Sequence, residues 1–174
     1  MKKLFTALLS LTLVLSLAAC GSQKEDAPAE PPDAPAETTV ELQAYYDGLL
    51  GWMKEEFGAD HVPQTVELEG EILEAYYPGL AEIATVQQVI QTSAISSVGF
   101  EIALVETENE ADAETVEALF QERIDYQIEE GAWYPATVEV WENAQIIRHG
   151  NYVALVAASL AQEHAVESFQ ALFN

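Results

Sequence analysis

Cysteine is all but missing: Cys20 is the only one in 174 residues. One thiol closes no intramolecular disulfide and builds no thiolate metal site, so the fold must stand on its core. Basic residues are scarce as well, six Lys and Arg against 30 Asp and Glu, for a net charge of −24. Such a surface excludes nucleic acid as a partner and disfavours bare anionic lipid, since each approach would gather counterions instead of releasing them. The three histidines, His61, His149 and His164, fall on a predicted loop, turn and helix without metal-ligand spacing, and read as solvent-exposed. No Ser-His-Asp set, phosphate-cradling glycine loop or dinucleotide fingerprint is present. Glu108, Glu110, Asp112 and Glu114 alternate with other residues, but without the central glycine and twelfth ligand of a calcium loop. They suit the positive end of the helix predicted to follow. No catalytic, cofactor-binding or metal-ligating residue is therefore assigned, no cofactor is expected, and the chain does not read as an enzyme.

Long hydrophobic runs are missing too, with one exception at the start. Lys2 and Lys3 precede an apolar run from Leu4 to Ala19, which ends in Leu17-Ala18-Ala19-Cys20. A spanning helix needs about 20 apolar residues, and this run is shorter and broken by Thr and Ser. Its charged start, short apolar centre and small residues before cysteine are the pattern of an export signal with a lipobox. Residues 1–19 are expected to be cut away and the Cys20 thiol to carry a diacylglyceryl group. Two or three acyl chains, at about 0.8 kcal/mol per buried CH₂, make a durable anchor where one is marginal. The expected location is the extracytoplasmic face of a cell membrane. Loss of Lys2 and Lys3 takes the net charge from −24 to −26.

From Cys20 to Glu37 the chain holds Pro28, Pro31, Pro32 and Pro35 among alanines and acids. It has almost nothing to bury and is predicted to be a disordered, partly polyproline-II tether. Fully stretched, it would set the domain on the order of 50 Å from the lipid, at about 3.1 Å per residue. No basic residue flanks a P-x-x-P motif, which argues against proline-rich recognition.

Residues 38–174 are read as a single globular domain. Thr38 and Glu41 have capping-box spacing, and Leu42, Tyr46, Leu49, Met53 and Phe57 follow at helical period up to Gly58. After a turn at Pro63, a short helix is predicted over Glu69–Tyr77, stopped by Pro78-Gly79. Ile83–Ala94 and Val98–Glu106 read as the strands of a hairpin joined by Ile95-Ser96-Ser97. In the second strand Val98, Phe100, Ile102 and Leu104 share one face, with Glu101 and Ala103 on the other. A long helix follows over 111–130 with the stripe Val116, Phe120, Ile124, Ile128, and Gly131 ends it. Pro135 suits the first position of a shorter helix carrying Val138 and Trp141. A second hairpin is predicted, Gln145–Arg148 and Asn151–Ala158, turning at His149-Gly150. Ser159 and Gln162 have capping-box spacing for a last helix with Val166, Phe169, Leu172 and Phe173 inward.

Ala103-Leu104-Val105 before Val116-Glu117-Ala118-Leu119-Phe120 echoes Ala154-Leu155-Val156 before Val166-Glu167-Ser168-Phe169. Near-equal spacing suggests a duplicated ββα unit. The expected fold is α+β: a four-stranded, mostly antiparallel sheet, helices largely on one face, and the N-terminal helix packed nearby.

The stretches Glu101–Val105, Asp112–Leu119 and above all Gly150-Asn151-Tyr152-Val153-Ala154-Leu155-Val156 resemble domain-of-unknown-function family 4358, small uncharacterised bacterial lipoproteins. The resemblance spans roughly residues 66 to 172. It implies a fold and a location, and it brings no activity and no catalytic residues. His149 stands where a lysine or other polar residue is usual in that family. Separately, Arg148-His149-Gly150 matches the tripeptide of histidine phosphatases, but that chemistry needs several cations around a phosphate, and Arg123 is the only other arginine.

The expected function is a lipid-anchored, non-enzymatic interaction module at the cell envelope, with an envelope protein as partner and the membrane reached through Cys20. The alternative is a small-ligand or cation-binding lipoprotein, with Tyr76, Tyr77, Trp133, Tyr134 and Trp141 lining a pocket. An unrecognised enzyme is the weakest of the three readings.

Overall fold

The computed structural model describes residues 40–174. The expected signal segment, Cys20, the tether and Thr38 lie outside the described residues. In chain order the elements are α1 (Leu42–Phe57), β1 (Thr65–Glu67), α2 (Gly70–Tyr76), β2 (Thr85–Ser93), β3 (Phe100–Thr107), α3 (Glu110–Tyr126), α4 (Pro135–Glu142), β4 (Gln145–His149), β5 (Tyr152–Ala158) and α5 (Gln162–Ala171).

β3 is buried along its whole length, so both of its faces need cover. The sheet supplies its neighbours in the order β1-β2-β3-β5-β4, every pairing antiparallel. The α+β class and antiparallel sheet are those expected, with a fifth strand added. β1 is only three residues long, too short for alternation to register; it is held by pairing with Gln91–Ser93 and by the Tyr46 hydroxyl, 2.9 Å from Thr65 Oγ1.

The helices lie on both faces rather than largely on one. Phe100, Ile102 and Leu104 of β3, with Ala154, Val156 and Ala158 of β5, pack against α1 and α5. Ala103 and Val105, with Val153, Leu155 and Ala157, pack against α2, α3 and α4. Glu101 had suggested a polar outer face, but it is fully buried, and the face it marks is a second core.

This arrangement also corrects the duplication. Two adjacent antiparallel strands exchange only about a two-fold axis normal to the sheet, which keeps each residue on its own face. Leu104 and Leu155, matched by the sequence echo, belong to opposite cores. The two ββα units share element order and not hand.

Local chemistry moves several boundaries. α1 has no side-chain cap of its own at Glu41. Gln87 serves instead: its Oε1 accepts from Leu42 N at 3.0 Å, while its Nε2 donates to Val40 O at 2.8 Å and to Glu106 at 2.6 Å. One first-turn amide of the helix is thus satisfied by a side chain of the sheet it packs on, and the strand register shifts between Thr85 and Gln87, next to that side chain. α3 passes into a π turn over Gln127–Gly131, which takes Ile128 out of the predicted stripe and leaves it 37% exposed. In the second hairpin His149 pairs with Tyr152, so the turn is Gly150-Asn151, one residue later than expected, with Gly150 at φ 57°. α5 is preceded by Ala161, not capped by Ser159; Gln162 Oε1 instead accepts from Ala158 N at 2.9 Å. Leu172, expected inward, is 36% exposed.

Candidate functional site

α3 aims one cation into the core beneath the sheet. Arg123 follows Phe120 by three residues on the buried side of the helix, where it meets Glu101 from the middle of the sheet. Nε donates to Glu101 Oε1 at 2.9 Å and Nη2 to Oε2 at 2.8 Å, the bidentate geometry that favours arginine. Tyr77, also buried, donates its hydroxyl to Oε1 at 2.6 Å. The guanidinium lies 4.2 Å from the Tyr76 ring centre and 5.3 Å from that of Trp141, within cation–π range. With its amide oxygen turned toward the arginine, Gln127 accepts from Nη1 at 2.7 Å and Nη2 at 3.1 Å. A Cβ at Gly131 would lie 2.8 Å from the Gln127 amide carbon, so the glycine of the π turn makes room for that side chain.

Burial works to lower the Arg123 pKa, and the hydrogen bonds and charge of Glu101 outweigh it, holding it above the ordinary value. Burial first, then the Glu101 charge, pushes Tyr77 well above the ordinary tyrosine value. Among the described residues no buried side-chain nitrogen or oxygen lacks a partner. The cluster is therefore electrostatically closed, a floor rather than an open receptor.

Above that floor lies the end of the sheet where β2 turns into β3. The connection runs over residues 94–99, longer than expected from the strand alternation. Because Phe100 pairs with Ala158, the link from β5 to α5 emerges beside it. Three clefts adjoin here, and Val98 lines all of them. One of about 660 Å³ lies against α4, with Gly99, Val140 and Leu160 in its lining. A second of about 440 Å³ lies against Ala59–Gln64 and shares Leu160. A third of about 410 Å³ reaches Ile72, Tyr76, Trp141 and the Glu101–Arg123 pair. Close packing of α4 depends on Gly99, where an added Cβ would sit 2.8 Å from Val140 Cβ. Around these clefts Val66, Ile72, Ile95, Val98 and Leu160 are each between 42% and 56% exposed.

Of the five aromatics expected to line a pocket, Tyr76, Tyr77 and Trp141 gather at Arg123. Trp133 and Tyr134 stand apart in solvent, Trp133 at 87% exposure. His164 stacks on Trp52 with ring centres 3.7 Å apart, and His149 on Phe173 at 4.3 Å. Arg148 is engaged by α3, its Nε 3.1 Å from Glu117, which ties the phosphatase-like tripeptide to a helix surface. Asn109 caps α3 by accepting from Asp112 N at 3.0 Å. Among the described residues no group of three or more His, Cys, Asp or Glu is placed to hold a metal ion, and no helix is long and apolar enough to cross a membrane. Cys20 lies outside the described residues. Sequence reasoning missed Glu101, Arg123 and Gln127 as a unit; the available signal was an arginine on the buried side of α3.

A family model described as Domain of unknown function (DUF4358) matches residues 61–158. The match runs from just before β1 to the end of β5, and so includes both partners of the buried ion pair and the β2–β3 connection. No curated protein and no solved structure matches the chain.

Proposed function

The chain belongs to the family described as Domain of unknown function (DUF4358), and from that premise we propose that it is a lipid-anchored, non-enzymatic interaction module on the extracytoplasmic face of a cell membrane. The anchor rests on Leu17-Ala18-Ala19-Cys20 after a charged, apolar start. The proline-rich stretch to Glu37 then serves as tether.

One observation carries the interaction reading. Five partly exposed aliphatic side chains surround three adjoining clefts at one end of the sheet, and a contiguous apolar surface of this kind marks a place where something docks. The closed hydrogen bonding of Glu101, Arg123 and Tyr77 supports a structural role for the nearest charges. Chemical cross-linking on intact cells followed by mass spectrometry tests the reading. Recovery of the same neighbour across replicates is the expected result, and repeated recovery of none would count against it.

The second reading, a small-ligand binder, is favoured by the third cleft, whose walls include Tyr76 and Trp141. Thermal unfolding of the chain lacking residues 1–19, with Cys20→Ser, against sugars, peptides, amino acids and divalent cations addresses it. A ligand at 100 times its dissociation constant adds about 2.7 kcal/mol to the native state, which moves the midpoint by several degrees.

A further inference from the structure

We infer that the clefts meeting at Leu160 receive a basic segment of a partner protein, one that carries aliphatic side chains between lysines or arginines. The inference rests on the interaction reading above and gives the partner its chemistry.

The two clefts share Val98, Gly99 and Leu160, which Val140 extends in the first, as the apolar part of a lining that also includes Ser159 in both. Each lining holds one carboxylate, Glu139 in the first cleft and Asp60, next to His61, in the second, and no Lys or Arg lines either. The one cation in the neighbouring cleft, Arg123, is already matched by Glu101. An aliphatic side chain entering from outside would therefore meet a carboxylate in either cleft, which favours cationic neighbours along the same segment.

Charge also selects among possible occupants. A second copy would bring together two chains each of net charge −26 once residues 1–19 are lost, and an anionic lipid surface would be repelled in the same way. Neither would be helped by the apolar lining alone. A basic, aliphatic segment satisfies apolar lining and carboxylates at once.

The test separates groove docking from general attraction to an acidic protein. The probe is a fluorescein-labelled twelve-residue peptide of alternating leucine and lysine, titrated with the full chain by fluorescence anisotropy. Comparison peptides replace lysine by glutamate, or leucine by serine. The leucine-lysine peptide is expected to bind at least about tenfold more tightly than either. Leu160→Glu is decisive because it adds a negative charge while spoiling the apolar lining: docking predicts at least about fivefold weaker binding, and bulk electrostatics predicts tighter. Leu160 lies on the link before α5 and is half exposed, so the fold should tolerate the change. Ile95→Glu on the β2–β3 connection repeats the test should that variant fail to fold. Unchanged or tighter binding in the folded variants, or equal binding of the serine-lysine peptide, would overturn the inference. Cell-surface cross-linking that captures an acidic neighbour or a second copy would overturn the basic partner and leave the interaction module standing. Capture of no neighbour would remove both.

Discussion

Replacing Arg123 by methionine keeps most of the side-chain stem and deletes the charge. Glu101 would then lose its bonds of 2.9 and 2.8 Å and retain only the Tyr77 hydroxyl at 2.6 Å. Its carboxylate has no solvent access, so an uncompensated charge would remain in the core. Breaking a buried pair in this way costs about 3–5 kcal/mol. For a domain of this size, at about 3 °C per kcal/mol, the midpoint should fall by about 10–15 °C. Glu101→Leu together with Arg123→Met removes more interactions yet should cost less, because no charge is left unpaired and apolar replacements of buried pairs are often neutral or stabilising. The Tyr77 hydroxyl then lacks its acceptor, a penalty of about 1–3 kcal/mol that Tyr77→Phe should relieve. Urea and thermal unfolding followed by circular dichroism read the whole series. A single Arg123→Met variant within about 1 kcal/mol of the parent, or a double variant less stable than the single, would refute the reasoning.

Three further outcomes follow from other parts of the molecule. Burial pushes Tyr45 up to about 12; since its folded pKa exceeds the unfolded value near 10, its contribution is intact below about pH 10 and is lost as pH climbs toward 12. Alkaline melts of Tyr45→Phe should accordingly fall less steeply over that window than those of the parent, and identical slopes would contradict the assignment. Gly99→Ala places a Cβ 2.8 Å from Val140 Cβ and should destabilise by about 1–3 kcal/mol; Val140→Gly, which alone removes that Cβ, should cost less in the Gly99→Ala background than in the parent, and additive losses in this double-mutant cycle would show that the contact is not the cause. Cys20→Ser should move the protein from the membrane fraction to the medium, as read by fractionation and immunoblotting, and continued membrane retention would sink the proposed anchor.

Elements whose signal is local were legible in the sequence. The stripes of α1 and α3 and the run of β3 repeat often enough for their period to stand out, and Pro135 marked the start of α4 correctly. β1 escaped because three residues carry no period. Glu101 misled because alternation reports which residues share a face, not what covers that face; a glutamate reads as solvent-facing unless its partner, Arg123, is already placed opposite it. The side of the sheet taken by α5 depends on the β5–α5 link and on both faces of β3 being apolar, so the echo between the two ββα units pointed to the wrong hand. The clefts were invisible for a related reason. Val98, Val140 and Leu160 are far apart in the chain and meet only when β3 and β5 pair. The aromatic set was half legible: helix ends and a core position carried Tyr76, Tyr77 and Trp141 to Arg123, whereas nothing periodic constrained Trp133 or Tyr134.

Site-specific photo-cross-linking on intact cells tests the central claim most directly. A photoreactive residue would replace Val98, which lines all three clefts, and in a parallel strain Glu108, which follows β3 at the opposite end of the sheet. The account predicts a discrete adduct of one basic envelope protein from position 98 and none from position 108. Equal adducts from both positions, or an adduct from position 108 alone, would contradict it.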